Sequence, residues 1–295
     1  PHRGRHHGEA GGSVTDASTT DIVTEEVAAP PTPDRLELPP KPKPSPFTVG
    51  VWALVIVFTV VSARRVGFSV SGLIEDLQRP NPVLDGLCDV RWGEMVSERS
   101  RRAFGETLQM AVLGTTGGVI VSLPIALWAT EVGNPYLIPR VVLRSINNVI
   151  RSIPDLLWAG LFVLGVGIGA LSGLLALFFF SLAVMTKLTA DTLDGIDMGP
   201  VEAANAAGAS HSQMLRTAVV PQILPAFSSY ALYDFELNLR ASAVLGLVGA
   251  GGIGQRLDFF RNRGQWDKLW GLVFMFFLVV FIVEWVSVRI RRRLV

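Results

Sequence analysis

Cysteine is almost absent: Cys88 is the only one in 295 residues. A single thiol excludes an intramolecular disulfide and any structural zinc site built on cysteines. No Gly-Lys pair occurs anywhere, so the GxxxxGK[ST] loop that cradles nucleotide phosphates is missing and the chain has no ATP site of that kind. Charge is scarce as well, with 17% Asp, Glu, Lys and Arg and a formal net of +1. That leaves no bulk electrostatic case for nucleic acid as a partner, and the basic residues matter by position instead. Three of the four histidines, His2, His6 and His7, sit in PHRGRHHG, a composition open to weak metal binding or to a solvated tail, and no metal site is assigned. The opening residues lack the ordered basic, apolar and small-residue segments of a signal peptide, so the first membrane helix is expected to be retained.

What the chain does have is apolar surface. Hydrophobic residues make up 49% of it and the mean hydropathy is +0.42, which points to an all-α integral membrane protein. Residues 1–46, ending in PPKPKPSP, contain no run able to build a core and read as a disordered, Pro-rich tail. Phe47 to Ala63 carries no charge and approaches the roughly 20 residues that span hydrocarbon. Up to Arg102 there follows an interfacial stretch with a short amphipathic piece, Phe68 to Leu77, and an outer loop. The remainder, 103–295, is expected to form the core, with spans at Ala103–Thr130, Pro154–Ala170, Leu171–Ala190, Ile223–Leu247 and Leu269–Val288, six in all with the first. Gly114 and Gly118 have the small-xxx-small spacing that lets helices approach closely, or are simply common membrane glycines.

Arg289, Arg291, Arg292 and Arg293 directly follow the last span and place that end in the cytoplasm. Six spans then put the tail 1–46 on the same side, together with the segment 200–222 and, near the same surface, Arg140 and Arg144. Arg64, Arg65, Arg99, Arg101 and Arg102 fall on the other side and run against the rule.

Val201 to Ala226 is too polar for lipid. It reads as a helix from Val201 to Ala207 behind Pro200, a break at Gly208, a second helix from Ser210 to Val219, and stops at Pro221 and Pro225, forming a short hairpin outside the membrane. The fifth span contains Tyr233, Asp234, Glu236, Asn238 and Arg240, which are costly in lipid and should face a partner helix or an aqueous path. Tyr233, Glu236 and Arg240 share one face, and Glu236 and Arg240 have the spacing of an i,i+4 ion pair. Asp234 and Asn238 lie on the adjoining face. Two readings stay open: a path lining in which Arg240 offers an anion its planar fork, or a pair that locks helices. At the head of the third span, Arg151 can pair with Asp155 around the break at Pro154, which either lines a cavity or kinks for packing. GAGGIG, from Gly249 to Gly254, satisfies GxGxxG but follows a membrane helix, so a sharp bend is the better reading than a dinucleotide site.

Glu202-Ala203-Ala204, Gly208 six residues after the glutamate, and Val220-Pro221 followed by Pro225 resemble the EAA signature of bacterial ABC importer permeases, with Val where Leu is usual. TLQMAVLGT from Thr107, RSIPDLLWA from Arg151 and FELNLRASAVLGLVGAGGIG from Phe235 are similar to the phosphonate-type branch of that family, and the resemblance runs from about Val70 to the end of the chain. It implies the type I importer permease fold of six spans in the bacterial cytoplasmic membrane. The hairpin would be the coupling element, carried by Glu202, Ala203, Ala204, Gly208 and Pro221, docked on a separate ATPase. The permease would pair with a second copy of itself and two ATPase subunits, which bind the ATP and Mg; this chain holds no cofactor and no catalytic residue. A soluble binding protein would deliver phosphonate, phosphite or phosphate to the outer face, along a path that includes Tyr233, Glu236, Asn238, Arg240, Arg151 and Asp155. A proton-coupled secondary transporter using Asp234, Glu236 and Arg240 is the alternative, though the chain shows no internal repeat. A structural scaffold explains the spans but not the EAA spacing.

Overall fold

In a computed structural model the described residues are 45–293; the tail that carries His2, His6 and His7 lies outside them. All regular structure among the described residues is helical. The chain divides into two units, up to Ser69 and from Val70 onward. The first contributes one helix, α1 (Pro46–Arg65). Ser45 caps it by accepting from the Thr48 N–H, and Pro46, with no N–H to lose, opens the first turn. Its large apolar side chains, among them Trp52, Leu54 and Phe58, are exposed. Up to Arg64 and Arg65 in its last turn the helix is uncharged and apolar on every side, the kind of surface lipid solvates.

The second unit begins with α2 (Val70–Gln78) and α3 (Pro82–Cys88), followed by a single 3-10 turn at Trp92–Glu94. Then come α4 (Glu98–Trp128), α5 (Leu137–Ser152), α6 (Asp155–Val166) and α7 (Ala170–Leu193). The hairpin helices α8 (Gly199–Ala206) and α9 (His211–Met214) lead to α10 (Val220–Gly246), α11 (Gly252–Arg261) and α12 (Trp266–Arg291). The centre is the pair α4 and α7, and small residues set its spacing. A Cβ at Gly114 would lie 2.8 Å from that of Leu177, and one at Gly118 only 2.3 Å from that of Ser181. The two glycines therefore do what their spacing allows, and bring backbones together where lipid supplies no hydrophobic drive. α10 lies against this pair, and its Asn238 amide donates to Thr115 Oγ1 of α4 (2.7 Å) and Ser181 Oγ of α7 (2.6 Å). Three helices are thus tied at one buried point, where each bond satisfies a group that would otherwise be orphaned.

Among the described residues four helices, α1, α4, α7 and α12, are long and apolar enough to cross a membrane. The expected third span is different in kind. α6 has 12 residues and measures about 18 Å, well short of about 30 Å of hydrocarbon. It qualifies only together with α5, from which it is bent by 87°. Pro154 explains the bend: it forces Ile153 into extended backbone and has no N–H for a continuing helix. α10, at 27 residues, is about 40 Å long. It misses the apolar criterion because Asp234, Glu236, Asn238 and Arg240 interrupt it, and three of those four are buried against neighbouring helices.

Opposite the hairpin, the glycine-rich turn folds α11 back on α10 and α4. Gly249, Gly251 and Gly252 all have positive φ, and a Cβ at Gly254 would strike the Ala243 carbonyl oxygen at 2.0 Å. The Ile253 N–H donates to Thr107 Oγ1 at 2.7 Å, so the bend is packed into the bundle and leaves no open phosphate cradle. At the same end, Trp270 Nε1 donates to the Val83 carbonyl (2.7 Å) and the Arg91 N–H to that of Asp267 (3.0 Å). The segment after α2 is thereby fixed on the first turns of α12. Nearby, Glu94 accepts from Arg256, Ser97 and Ser100. Burial alone would push its carboxyl up, but the guanidinium and the two hydroxyls outweigh that and hold it below the usual carboxylate range.

Candidate functional site

The hairpin is built from local chemistry at each step. Pro200 stands in the first turn of α8 with Glu202 beside it, where an acidic side chain complements the helix dipole. Gly208 closes the helix at φ +78°, the left-handed turn that glycine takes without strain. Ser210 and Gln213 then form a capping box that starts α9. A π-helical segment, Leu215–Val219, joins α9 to α10 without a break. The sequence expected a second helix up to Val219 and stops at the prolines, and this is corrected. Pro221 occupies the first turn of α10 and Pro225 lies inside it. Near a helix start a missing N–H costs little, and an extra residue per turn lets the chain enter α10 in a new register.

Val201, Met214, Ala218, Val219 and Ile223 anchor the hairpin in an apolar cluster with Ala126, Ala190 and Leu193. Gln222 closes its base, accepting from the Asp197 N–H (3.1 Å) and donating to the Asp197 carbonyl (3.2 Å). His211 Nε2 lies 3.0 Å from the Gly133 carbonyl, and Arg144 donates twice to Asp194 (2.8 and 2.9 Å) and once to the Ala129 carbonyl (2.7 Å). These contacts join the ends of α4 and α7, the loop before α5, the middle of α5 at Arg144 and the hairpin. On its outer side Glu202, Ala203 and Gly208 are exposed, while Ala204 packs partly inward.

The polar stretch of α10 divides among three environments. Asn238 is fully buried in the three-helix tie, and Asp234 is fully buried one turn away. Glu236 and Arg240 do face one side, together with Tyr233, but they do not pair with each other as the spacing predicted. Glu236 accepts from Arg291 at 2.8 Å and Arg240 donates to Glu284 at 2.9 Å, and the Arg291 guanidinium lies 5.9 Å from the centre of the Tyr233 ring. The reason lies in the neighbouring helix: α12 runs antiparallel with the complementary charges at matching heights. An internal Glu236–Arg240 pair would leave Glu284 and Arg291 without these partners. Glu284 could have been found in the sequence as the lone carboxylate in an otherwise apolar run; Thr115 and Ser181 gave no such signal.

This crossed arrangement has a measurable consequence. Arg240→Glu opposes two carboxylates, and is expected to lower the unfolding midpoint of the purified chain by on the order of 5 °C. The exchange Arg240→Glu with Glu284→Arg should recover most of that loss. If the exchanged chain is no more stable than the single variant, the two side chains do not act as a pair.

Arg151 and Asp155 are likewise unpaired with each other, because the 87° bend takes them off a common helix axis. Asp155 instead accepts its neighbour Leu156's N–H. Both residues line a cleft of about 300 Å³ with Pro154, Trp158 and Phe180. Trp158 clusters with Phe162 and Phe179 at 5.8 and 5.3 Å, the two phenylalanines themselves 5.5 Å apart, and it donates from Nε1 to the Ile150 carbonyl, 3.3 Å away. That bond satisfies one of the carbonyls freed at the end of α5. Arg151 is exposed and makes no ion pair among the described residues, so its guanidinium is available at the mouth of the cleft.

Comparison with known proteins fits this geometry. The phosphate-import permease protein PhnE of Mycolicibacterium smegmatis is 36% identical over 79% of this chain, which spans only 44% of that relative. The phosphite transport system permease protein PtxC of Stutzerimonas stutzeri is 38% identical over 63% of this chain and 68% of its own length. Among solved structures, the MetNI methionine ABC transporter in inward-facing conformations matches with a TM-score of 0.59 at 24% identity, covering 68% of this chain and all of that one. At that identity the likeness is one of fold. Residues 102–295 match the model of the binding-protein-dependent transport system inner membrane component, and the chain belongs to that family of ABC transporter permeases.

Proposed function

We propose that this chain is the permease subunit of an ATP-driven importer that carries a phosphonate-type oxyanion, whether phosphonate, phosphite or phosphate, across the bacterial inner membrane. The observation that carries the reading is the hairpin at 199–219: a short helix with an exposed acidic first turn and an exposed small residue, rooted in the ends of α4 and α7 and tied by His211 to the loop before α5. Such an element transmits a push at its tip to several membrane helices at once. The family match and the names of the phosphate and phosphite relatives support the direction and the substrate class. The hairpin would face the cytoplasm with both ends of the chain. It would dock on one of two ATPase subunits that bind ATP and Mg, next to a second copy of this chain, with a soluble binding protein on the opposite face. Glu202, Ala203, Ala204 and Gly208 would make the contact, and Pro221 would fix the joint with α10.

Of the proposed path residues, Arg151 and Asp155 have the geometry for transient contact with an anion, since a free guanidinium at the rim of a cleft presents a planar fork to a phosphate-like group. Glu236 and Arg240, each neutralised by α12, together with Asn238 and Tyr233 beside them, would hold the wall of the path and not bind its contents. The same pairing weakens the proton-relay alternative, which needs Glu236 and Arg240 free to exchange protons along one helix.

Uptake of radiolabelled phosphite, phosphate and methylphosphonate into vesicles that contain the permease, its ATPase and its binding protein tests the reading. Uptake should require ATP hydrolysis and survive collapse of the proton gradient. Uptake that persists with an inactive ATPase and stops with the gradient would refute it. In the same assay Arg151→Gln is expected to raise the KM for uptake about tenfold with an unchanged unfolding midpoint, a loss of about 1.4 kcal/mol in transition-state binding. An unchanged KM removes Arg151 from the path.

A further inference from the structure

The end of α12 and the two residues after it carry more positive charge than carboxylates among the described residues neutralise. Arg291 is taken by Glu236, but Arg289, Arg292 and Arg293 have no carboxylate partner among the described residues. Arg289 instead lies over the Trp285 indole, 4.4 Å from the ring centre, and Trp285 is half exposed. Trp285 and Arg289 together line two neighbouring clefts of about 340 and about 490 Å³, the first completed by Arg292 and by Glu284, whose carboxylate is held by Arg240, and the second by Arg293 and the exposed Ile290. A tryptophan plane, a guanidinium held on it and a second guanidinium within reach form a two-pronged receptor for a phosphate oxyanion, with apolar surface directly below it.

The position along the helix decides the occupant. Trp266 and Trp285 stand 19 residues apart in α12, about 28 Å of rise, which matches the roughly 30 Å of hydrocarbon that interfacial tryptophans bracket. Trp285 therefore sits at headgroup level, with Arg289, Arg292 and Arg293 just beyond it, where long cationic side chains reach phosphates. Ile290 and the half-exposed Val286 face outward, where acyl chains pack. A soluble anion would not need that apolar floor.

We infer that the Trp285–Arg289–Arg292 cluster binds the phosphate headgroup of an anionic phospholipid. The site holds α12 at the interface, so that the ion pairs of Glu236 and Arg240 stay in register. It does not depend on what the permease carries.

Native mass spectrometry of the full chain in its purified assembly, with phosphatidylglycerol or phosphatidylcholine added to the detergent, tests the inference. Phosphatidylglycerol should be retained at least tenfold better than phosphatidylcholine. Arg289→Gln with Arg292→Gln should remove that preference and leave phosphatidylcholine unchanged, while Arg289→Lys with Arg292→Lys should keep most of it. Equal retention of the two lipids by the unaltered chain, or a preference that survives the glutamine pair, overturns the inference. So does displacement of phosphatidylglycerol by millimolar inorganic phosphate, which would mark a free-anion site. Dissociation of the assembly by the glutamine pair, with lipid retention intact, would mark a protein interface instead. If the glutamine pair does not fold, Trp285→Leu takes its place. That variant should retain several-fold less phosphatidylglycerol than the unaltered chain, and undiminished retention overturns the inference.

Discussion

Gly118→Val is expected to leave no folded permease in detergent extracts. The Cβ of any side chain there would fall 2.3 Å from the Ser181 Cβ, 2.9 Å from the Leu182 nitrogen and 3.1 Å from the Ser181 carbonyl carbon. Two of those three atoms are backbone, so no rotamer change relieves the contact, and α4 and α7 must move apart. Overpacking typically costs about 1–3 kcal/mol when side chains can yield, and more when they cannot. Separation of the two helices would also break the Asn238 bonds to Thr115 and Ser181, and leave a buried amide and two hydroxyls unsatisfied at about 1–3 kcal/mol each. Few chains have a margin that large. The control lies on the same helix: nothing stands within 4 Å of a Cβ at Gly105, so Gly105→Ala should be neutral or raise the midpoint slightly by favouring the helix. Size-exclusion profiles and thermal unfolding of the two variants are the measurement. A monodisperse Gly118→Val protein with a midpoint near that of the unaltered chain would mean that the two helices are not held by this contact.

That contact shows where the sequence was legible and where it was not. Gly114 and Gly118 had the spacing for close approach in the sequence, but common membrane glycines would look the same, and only the Cβ clashes with Leu177 and Ser181 decide between the two. The partner helix could not be read, since nothing about Ser181 marks it as the residue opposite. The hairpin was legible because Glu202, Gly208 and the capping residue Ser210 each leave a local signature. The join to α10 was not, because proline in a first turn and proline as a stop are the same letter, and only the π-helical register separates them. The bend after Ser152 was visible in Pro154, but its 87° angle was not, because proline breaks the helix without fixing the direction in which the chain resumes. Spacing along α10 placed Glu236 and Arg240 on one face and then suggested the wrong pairing. An i,i+4 rule sees one helix, and the charges that decide the matter lie 44 and 55 residues further on, at Glu284 and Arg291.

The second large effect concerns the hairpin tip. Glu202→Lys is expected to cut uptake at least tenfold while leaving the permease folded. The reason it should stay folded is positional. Val201, next to it, is the buried anchor of α8 at 3% exposure, whereas Glu202 points away from the apolar cluster and makes no ion pair among the described residues. Reversing the charge in the first turn opposes the helix dipole at a cost of about 0.3–1 kcal/mol. Pro200, the Gly208 turn and the Ser210 capping box remain to hold the hairpin. The reason uptake should fall is that an exposed carboxylate with no ion pair among the described residues, on a helix braced against the ends of α4 and α7, is free to meet the proposed ATPase subunit. In the proposed docking, a lysine there would put a cation at a contact that the unaltered chain makes with an anion. Glu202→Gln keeps size and helix geometry and should lose less, which separates charge from shape. Three readouts make the outcome unambiguous: unfolding midpoint within about 2 °C of the unaltered chain, retention of the ATPase on the purified permease, and ATP hydrolysis that substrate-loaded binding protein no longer stimulates. Normal uptake by an assembled Glu202→Lys permease would remove Glu202 from the coupling step, and with it the argument that force enters the membrane helices through α8.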